Sequence, residues 1–511
     1  MKLLSCLLLL AATTAHAATS IVEASVETLQ KDMASGRATS LSITQSSLAR
    51  ISAMDRKGLA LNSVLETNPD ALAIARRLDR ERKAGKMRGP LHGIPVLVKD
   101  NIDTGDRMPT TAGSLALADT RAAHDAFIVR KLRDAGAVIL GKTNLSEWAN
   151  IRSAKSSSGW SAVGGQTKNA YAADRNPCGS SSGTGTAIAA SFAVVGIGTE
   201  TDGSIVCPSG VAGLVGLKPT VGLVSRSGII PISHSQDTAG PMTRNVADAA
   251  AVLTAIAGVD PADAATRAAQ GHIEADYRTF LKTDALKGVR IGIARKKVTG
   301  YNVHTDRLFE QAIADLKRLG AEIVDPADFG SIGDYDEEEL EVLLYELKAD
   351  LNAYLSRRAG IAVKSLADVI AFNERNAVRE LRYFGQDLFE KAQAKGPLTD
   401  EAYVMAAEKS RRVARAGIDE VLAAHKLDAI VAPTGGPAWL TDHINGDSFQ
   451  GSSSSPAAVA GYPSITVTMG SAMGLPVGLS FVGTAWSEGK LLGLAYAYEQ
   501  GTKHRRAPKL K

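Results

Sequence analysis

The chain has 511 residues, 45% of them hydrophobic and 22% charged, the proportions of a folded protein with a sizeable core. Its 58 basic and 54 acidic side chains leave a net charge of +4. The two signs are interleaved, and no Lys/Arg block sits among aromatics, which removes the case for a nucleic-acid partner.

The N-terminus reads MKLLSCLLLLAATTAHA. Lys2 is a short positive region, and residues 3–12 form an apolar run too short to cross a bilayer. Ala15-His16-Ala17 has the small-x-small pattern of a cleavage site. The segment predicts a secretory signal cut after Ala17, a secreted or periplasmic protein, and no membrane attachment afterwards. Cleavage removes Cys6 and leaves Cys178 and Cys207. A disulfide suits an exported chain, but two buried thiols fit the sequence equally, because pairing depends on a Cα separation. Neither cysteine has a partner at metal-ligand spacing and no HExxH occurs, so no metal is expected.

Helical periodicity marks residues 25–35 and 40–55. Val64-Leu65 suggests a short strand. Asn68 reads as the cap of a helix running to Lys83, with Pro69 at its first position. Residues 94–98, IPVLV, form a continuous apolar run rich in β-branched residues and predict a buried strand, at whose end Lys99 and Asp100 emerge. Catalytic groups favour such strand ends in α/β folds. A helix over 125–136, a strand over 138–140 and a short helix over 144–149 follow. Residues 214–244, with Pro219, Pro231 and Pro241, read as loop-rich. Beyond them come a helix over 245–257, a strand–helix–strand alternation over 289–324, and a charged helical excursion over about 336–424. A strand over 428–432, a polar Gly/Ser loop over 446–455, a strand pair over 465–469 and 477–482, and a helix over 487–500 complete the chain. The alternation predicts an α/β protein with a parallel or mixed sheet.

Glycine and serine concentrate in residues 176–208, NPCGSSSGTGTAIAASFAVVGIGTETDGSIVCP. Glycine lets backbone N–H groups approach a ligand, and a hydroxyl among them has the makings of a nucleophile beside an oxyanion hole. Three arrangements compete. Gly179-Ser180-Ser181-Ser182-Gly183 matches G-x-S-x-G, but residues 168–177 before it are polar where a nucleophile elbow needs a strand. Ser487-Glu488-Gly489-Lys490 matches S-x-x-K, but no K-T-G accompanies it, and Ser487 reads better as a helix cap. The third is a Ser-Ser-Lys arrangement.

Here the motifs carry a resemblance. GIPVLVKD, PCGSSSGTGTAIAA, GIGTETDGSIVCPS, GLKPTVGLVSRSGIIP and QDTAGPMTR, in that order across about residues 90–244, resemble the amidase signature family. The resemblance implies one α/β domain over 18–511, with a central mixed sheet covered by helices. It implies Lys99 as base, Ser180 as a bridging serine on a cis peptide, and Ser204 as nucleophile. The backbone N–H groups of Thr201, Asp202, Gly203 and Ser204 would form the oxyanion hole, and no cofactor is required. The chain departs from the commonest pattern at Asp202, where a glycine is usual, at Val206, where an arginine is frequent, and at Cys178 and Ser182, where glycines are usual. Asp202 and the cysteine-serine run are similar to the bacterial peptide amidase branch. Losing the arginine argues against a charged substrate clamp at Val206.

The substrate expected is an amide, foremost the C-terminal carboxamide of a peptide. Aryl, aliphatic or lactam-like amides are the alternative; an amidotransferase subunit and an inactive, binding-only relative stand behind it. Oligomeric state is not readable. Ser181, Asp202 and Trp439 are the candidate substrate contacts. For Asp202, a side chain facing the substrate and one turned away both remain open. Asp237 reads as a structural acceptor for local backbone, and His92, His124, His234 and His443 as ordinary polar residues.

Overall fold

The computed structural model describes residues 20–510, so the signal segment lies outside the described residues. The strands in chain order are β1 (Val64–Thr67), β2 (Pro95–Lys99), β3 (Val138–Thr143), β4 (Trp160–Ser161), β5 (Gly165–Gln166), β6 (Val195–Glu200), β7 (Val215–Lys218), β8 (Thr238–Thr243), β9 (Arg290–Ile293), β10 (Glu322–Val324), β11 (Ala429–Pro433), β12 (Ser464–Ala472) and β13 (Leu475–Val482). Eleven of them form one mixed sheet in the order β1-β3-β2-β6-β8-β7-β12-β13-β11-β9-β10, and β4 pairs with β5 apart from it. β2 lies parallel to both β3 and β6, while β8 runs antiparallel to β6 and β7. β9 is parallel to β10 and β11, as the strand–helix alternation predicts.

β2, β3 and β6 are buried along their whole lengths, which explains why each is apolar until its last one to three residues: a strand covered on both faces has no polar face to show. The helix Ser182–Ala189 is buried at every position. Its small residues allow the approach: a Cβ on Gly183 would lie 2.4 Å from the Ser63 carbonyl oxygen. Helices of the excursion (Asp336–Arg357, Leu366–Arg375, Ala377–Glu380, Asp387–Gln393 and Glu401–His425) contain no strand between them. Their Leu347, Leu351 and Phe389 pack on Trp148, Ile151 and Ile232 of the sheet side, roofing the region beside Ser204.

Three local expectations are corrected. Residues 214–244 contain two strands, β7 and β8, not only loop. Pro241 sits within β8 opposite Ile197, and a Cβ on Gly240 would lie 2.0 Å from the Leu217 carbonyl oxygen. Crowding between strands requires the glycine, although both residues argue against a strand in sequence. The short helix expected over 144–149 is instead a turn, Glu147–Asn150, with Trp148 and Ala149 at φ 49° and 53°. Tertiary bonds hold it: the Trp148 N–H donates to the Ala112 carbonyl at 2.9 Å, and buried Glu147 pairs with buried Arg152. The third helix begins at Ala71. Asn68 does not cap it but makes a turn, accepting from the Asp70 N–H at 2.9 Å.

Candidate active site

Lys99 closes β2 and is wholly buried. Its Nζ lies 2.7 Å from Ser180 Oγ, 2.9 Å from Thr199 Oγ1 and 3.2 Å from the Thr199 carbonyl oxygen. All three partners are uncharged. Burial pushes the ammonium down to about 7, against the pull of the Asp237 and Glu200 carboxylates. A neutral amine has two N–H groups and one lone pair. Thr199 can take the two N–H groups, which leaves the lone pair for the Ser180 hydroxyl. Asn101 fixes the threonine by donating to its Oγ1 at 3.0 Å.

Ser180 follows a cis peptide bond after Gly179. Two links tie its segment to that of Ser204. The Ser181 N–H donates to the Ser204 carbonyl at 3.2 Å, and Cys178 and Cys207 form a disulfide with their Cα atoms 6.1 Å apart. Sequence left that pairing open; the fold brings the two cysteines together.

Residues 201–204 leave β6 in a tight turn. Gly203 has φ 76°, and a Cβ there would also press on Ser454 Oγ at 3.1 Å, so glycine is required on both counts. The Glu200 carboxylate accepts from the N–H groups of Ile205 at 2.7 Å and Val206 at 3.0 Å. It thereby caps the helix Val206–Val211 and turns the chain just after Ser204. Among the described residues, no acceptor takes the N–H groups of 201–204. Thr201 donates its hydroxyl to Asp237 at 2.6 Å. Asp237 also accepts from the N–H groups of Ile232 at 2.8 Å and Ser233 at 2.9 Å, the local backbone role its position suggests. Burial pushes it up to about 6.

Ser204 opens onto a cavity of about 450 Å³ whose wall includes Asp202, Gly203, Asn150, Trp439 and Phe449. Trp439 and Phe449 meet edge to face at 5.6 Å. Ser181 does not reach this cavity. It is fully buried, and its hydroxyl donates to the Thr199 carbonyl at 3.1 Å and accepts from the Thr199 N–H at 3.2 Å. It braces β6 against the serine segment, so it is not a substrate contact. Asp202 does line the cavity, its Oδ2 accepting the Ser455 hydroxyl at 2.6 Å.

Sequence reasoning missed Thr199, Asn101 and Glu200, the residues that orient the lysine and the turn. Only Glu200, a carboxylate six residues ahead of the helix start at Val206, left a readable signal. His234 is no ordinary polar residue either. Its Nδ1 lies 2.8 Å from Asp350 and its Nε2 3.2 Å from Glu346, which ties the loop bearing Asp237 to the helical excursion.

The amidase family model matches residues 42–492. A probable amidase of Arabidopsis thaliana is 42% identical, across 96% of this chain and 92% of that one. Native peptide amidase from Stenotrophomonas maltophilia is 55% identical, with a TM-score of 0.92 across 96% of this chain and 99% of that one. An amidase family protein of Bacillus anthracis is 39% identical, with a TM-score of 0.87 across 96% of this chain and 93% of that one. The chain belongs to the amidase family and is an amide-hydrolysing enzyme.

Proposed function

We propose that this enzyme hydrolyses the C-terminal carboxamide of peptides through a Ser-Ser-Lys relay. The observation that carries the mechanism is the Lys99–Ser180 contact of 2.7 Å, in a wholly uncharged hydrogen-bond shell beside the cavity onto which Ser204 opens. Ser204 Oγ bonds to the amide carbon as its proton passes to Ser180 and the Ser180 proton passes to neutral Lys99. The free N–H groups of 201–204 receive the developing oxyanion. The C–N bond then breaks as the relay returns a proton to nitrogen, releasing ammonia. Water enters by the same relay and splits the acyl-enzyme to the carboxylic acid and free Ser204.

For the substrate, the support is the 55% identity to a peptide amidase and the cavity wall. Asn150 and Trp439 line the cavity, and among the described residues the buried Asn150 Oδ1 and Trp439 Nε1 have no partner. Export is part of the proposal. The N-terminal pattern supports it, and the Cys178–Cys207 disulfide suits an oxidising compartment.

The test is ammonia release from a panel of peptide amides and simple amides. Peptide amides should be the best substrates, with Ser204→Ala inactive and Ser180→Ala reduced by about 10³-fold or more. Turnover of simple amides alone would overturn the substrate class, and full activity in Ser204→Ala the mechanism.

A further inference from the structure

The charge of the cavity wall is one-sided. Its lining residues include two carboxylates, Asp202 and Asp447, and no lysine, arginine or histidine. Asp447 is fully committed: its Oδ2 accepts from the Ser158 N–H at 2.9 Å and its Oδ1 from the Asn176 side-chain amide at 3.1 Å. Asp202 is not. Its Oδ2 takes the Ser455 hydroxyl, while its Oδ1 is buried without a partner. It stands two residues before the nucleophile, where its own N–H belongs to the oxyanion turn.

The reaction at this site converts a neutral group into an anion. The carboxamide that enters carries N–H donors and no charge; the acid that leaves carries a negative charge and, when ionised, only acceptors. A fixed carboxylate beside the acyl position accepts from the first and repels the second, and specificity of this kind rests on repulsion as much as attraction. We propose that Asp202 is the specificity-determining residue that admits carboxamides, rejects peptides ending in a free carboxylate, and expels the acid product. The inference rests on the amidase reading of the Ser204 site.

Asp202 belongs to a buried acid pair, and burial raises it above the ordinary carboxylate range. Glu339 faces it from the helix Asp336–Arg357 and has one uncharged partner, the Gln236 amide at 2.8 Å. Burial and the charge of Asp202 drive Glu339 far up, so Glu339 takes the proton of the pair. Against that burial, the hydroxyls of Ser454 and Ser455 and the Lys218 ammonium of β7 favour the Asp202 carboxylate, and Asp336 opposes it. Tyr335, Glu200 and Glu339 complete its titratable surroundings.

The experiment compares inhibition constants for three ligands of one peptide, ending in a carboxylate, a neutral isostere or an ammonium group, against hydrolysis of whichever amide the panel identifies. In the parent enzyme the carboxylate should bind about tenfold or more weaker than the neutral ligand, and the ammonium no weaker than it. In Asp202→Asn and Asp202→Ser the gap should close by about fivefold or more, whatever happens to kcat. Equal binding of acid and neutral ligands by the parent enzyme would overturn the inference without any variant. An unchanged ratio in either folded variant would do the same, leaving Asp202 a brace for the turn. A failure of peptide amides in the panel would instead strike the substrate reading, because the charge comparison runs on any amide accepted.

Discussion

Lys99 and Lys142 sit on adjacent parallel strands, with Lys142 opposite Val98 and Lys99 opposite Thr143. Both are wholly buried, and burial lowers both. They differ in company. Lys142 lies 3.6 Å from the Asp100 carboxylate and donates to the Ile102 carbonyl at 2.6 Å and Thr110 Oγ1 at 2.8 Å. Lys99 touches only uncharged groups. A buried lysine with a carboxylate is held as a cation and serves as a strut. A buried lysine surrounded by neutral acceptors gives up its proton near neutrality and is available as a base. Asp100, next to Lys99 in sequence, belongs to the other lysine.

The sharpest way to break the comparison is to replace each lysine by methionine. Lys99→Met should lose activity by about 10³-fold or more yet remain folded. Thr199 keeps donors from Ser181 and Asn101, so little is left unpaired. With a folded value of about 7 against the ordinary 10.5, the unfolded chain binds more protons between those limits. The parent therefore gains stability as pH rises across that window, and the penalty is present at pH 7. Lys99→Met removes it and should be more stable at pH 7 by on the order of 1–4 kcal/mol. Lys142→Met strands Asp100 and should lose about 3–5 kcal/mol. Urea titrations with ammonia assays separate the two. Loss of stability in Lys99→Met would refute the division of roles.

The pH profile sharpens it next. Below about 7 Lys99 is protonated and cannot accept from Ser180. The parent kcat/KM should therefore fall about tenfold per unit below that value and level off above it. A rate that stays flat to pH 5 would exclude Lys99 as the base.

These contrasts also mark what sequence could reveal. The strand over 94–98 and the Gly/Ser segment of 176–208 announce themselves, because a doubly buried strand is continuously apolar and a close-packed turn is rich in glycine. The company of each lysine does not. Lys142 finds Asp100 and Thr110, and Lys99 finds Thr199, only through strand order, and no spacing encodes that. β7 and β8 hid behind Pro219 just after β7 and Pro241 and Gly240 within β8, and Gly240 answers to the close approach of Leu217 and not to strand propensity. The pairing of Cys178 with Cys207 became readable only once the fold set their separation.

A smaller effect is expected at the disulfide, which joins the serine segments from outside the relay. Cys178→Ala/Cys207→Ala opens a crosslink of 29 residues and should cost about 2–4 kcal/mol, as the loop-entropy account gives. It leaves the acid limb of the pH profile where it was, since neither sulfur touches Lys99. A moved limb would mean that the crosslink positions Ser180.

The smallest effect separates the two lysines by charge alone. Asp237 makes no hydrogen bond to Lys99, yet its carboxylate raises the lysine's value through space. Asp237→Asn keeps an oxygen for the Ile232 and Ser233 N–H groups and removes the charge. Lys99 should then deprotonate more readily, moving the acid limb down by up to about one unit and raising kcat/KM at pH 6 relative to its plateau. Asp103→Asn, which removes a carboxylate that raises Lys142, should leave that limb in place. If both substitutions shift the profile equally, the acid limb belongs to the general field of the protein and not to Lys99.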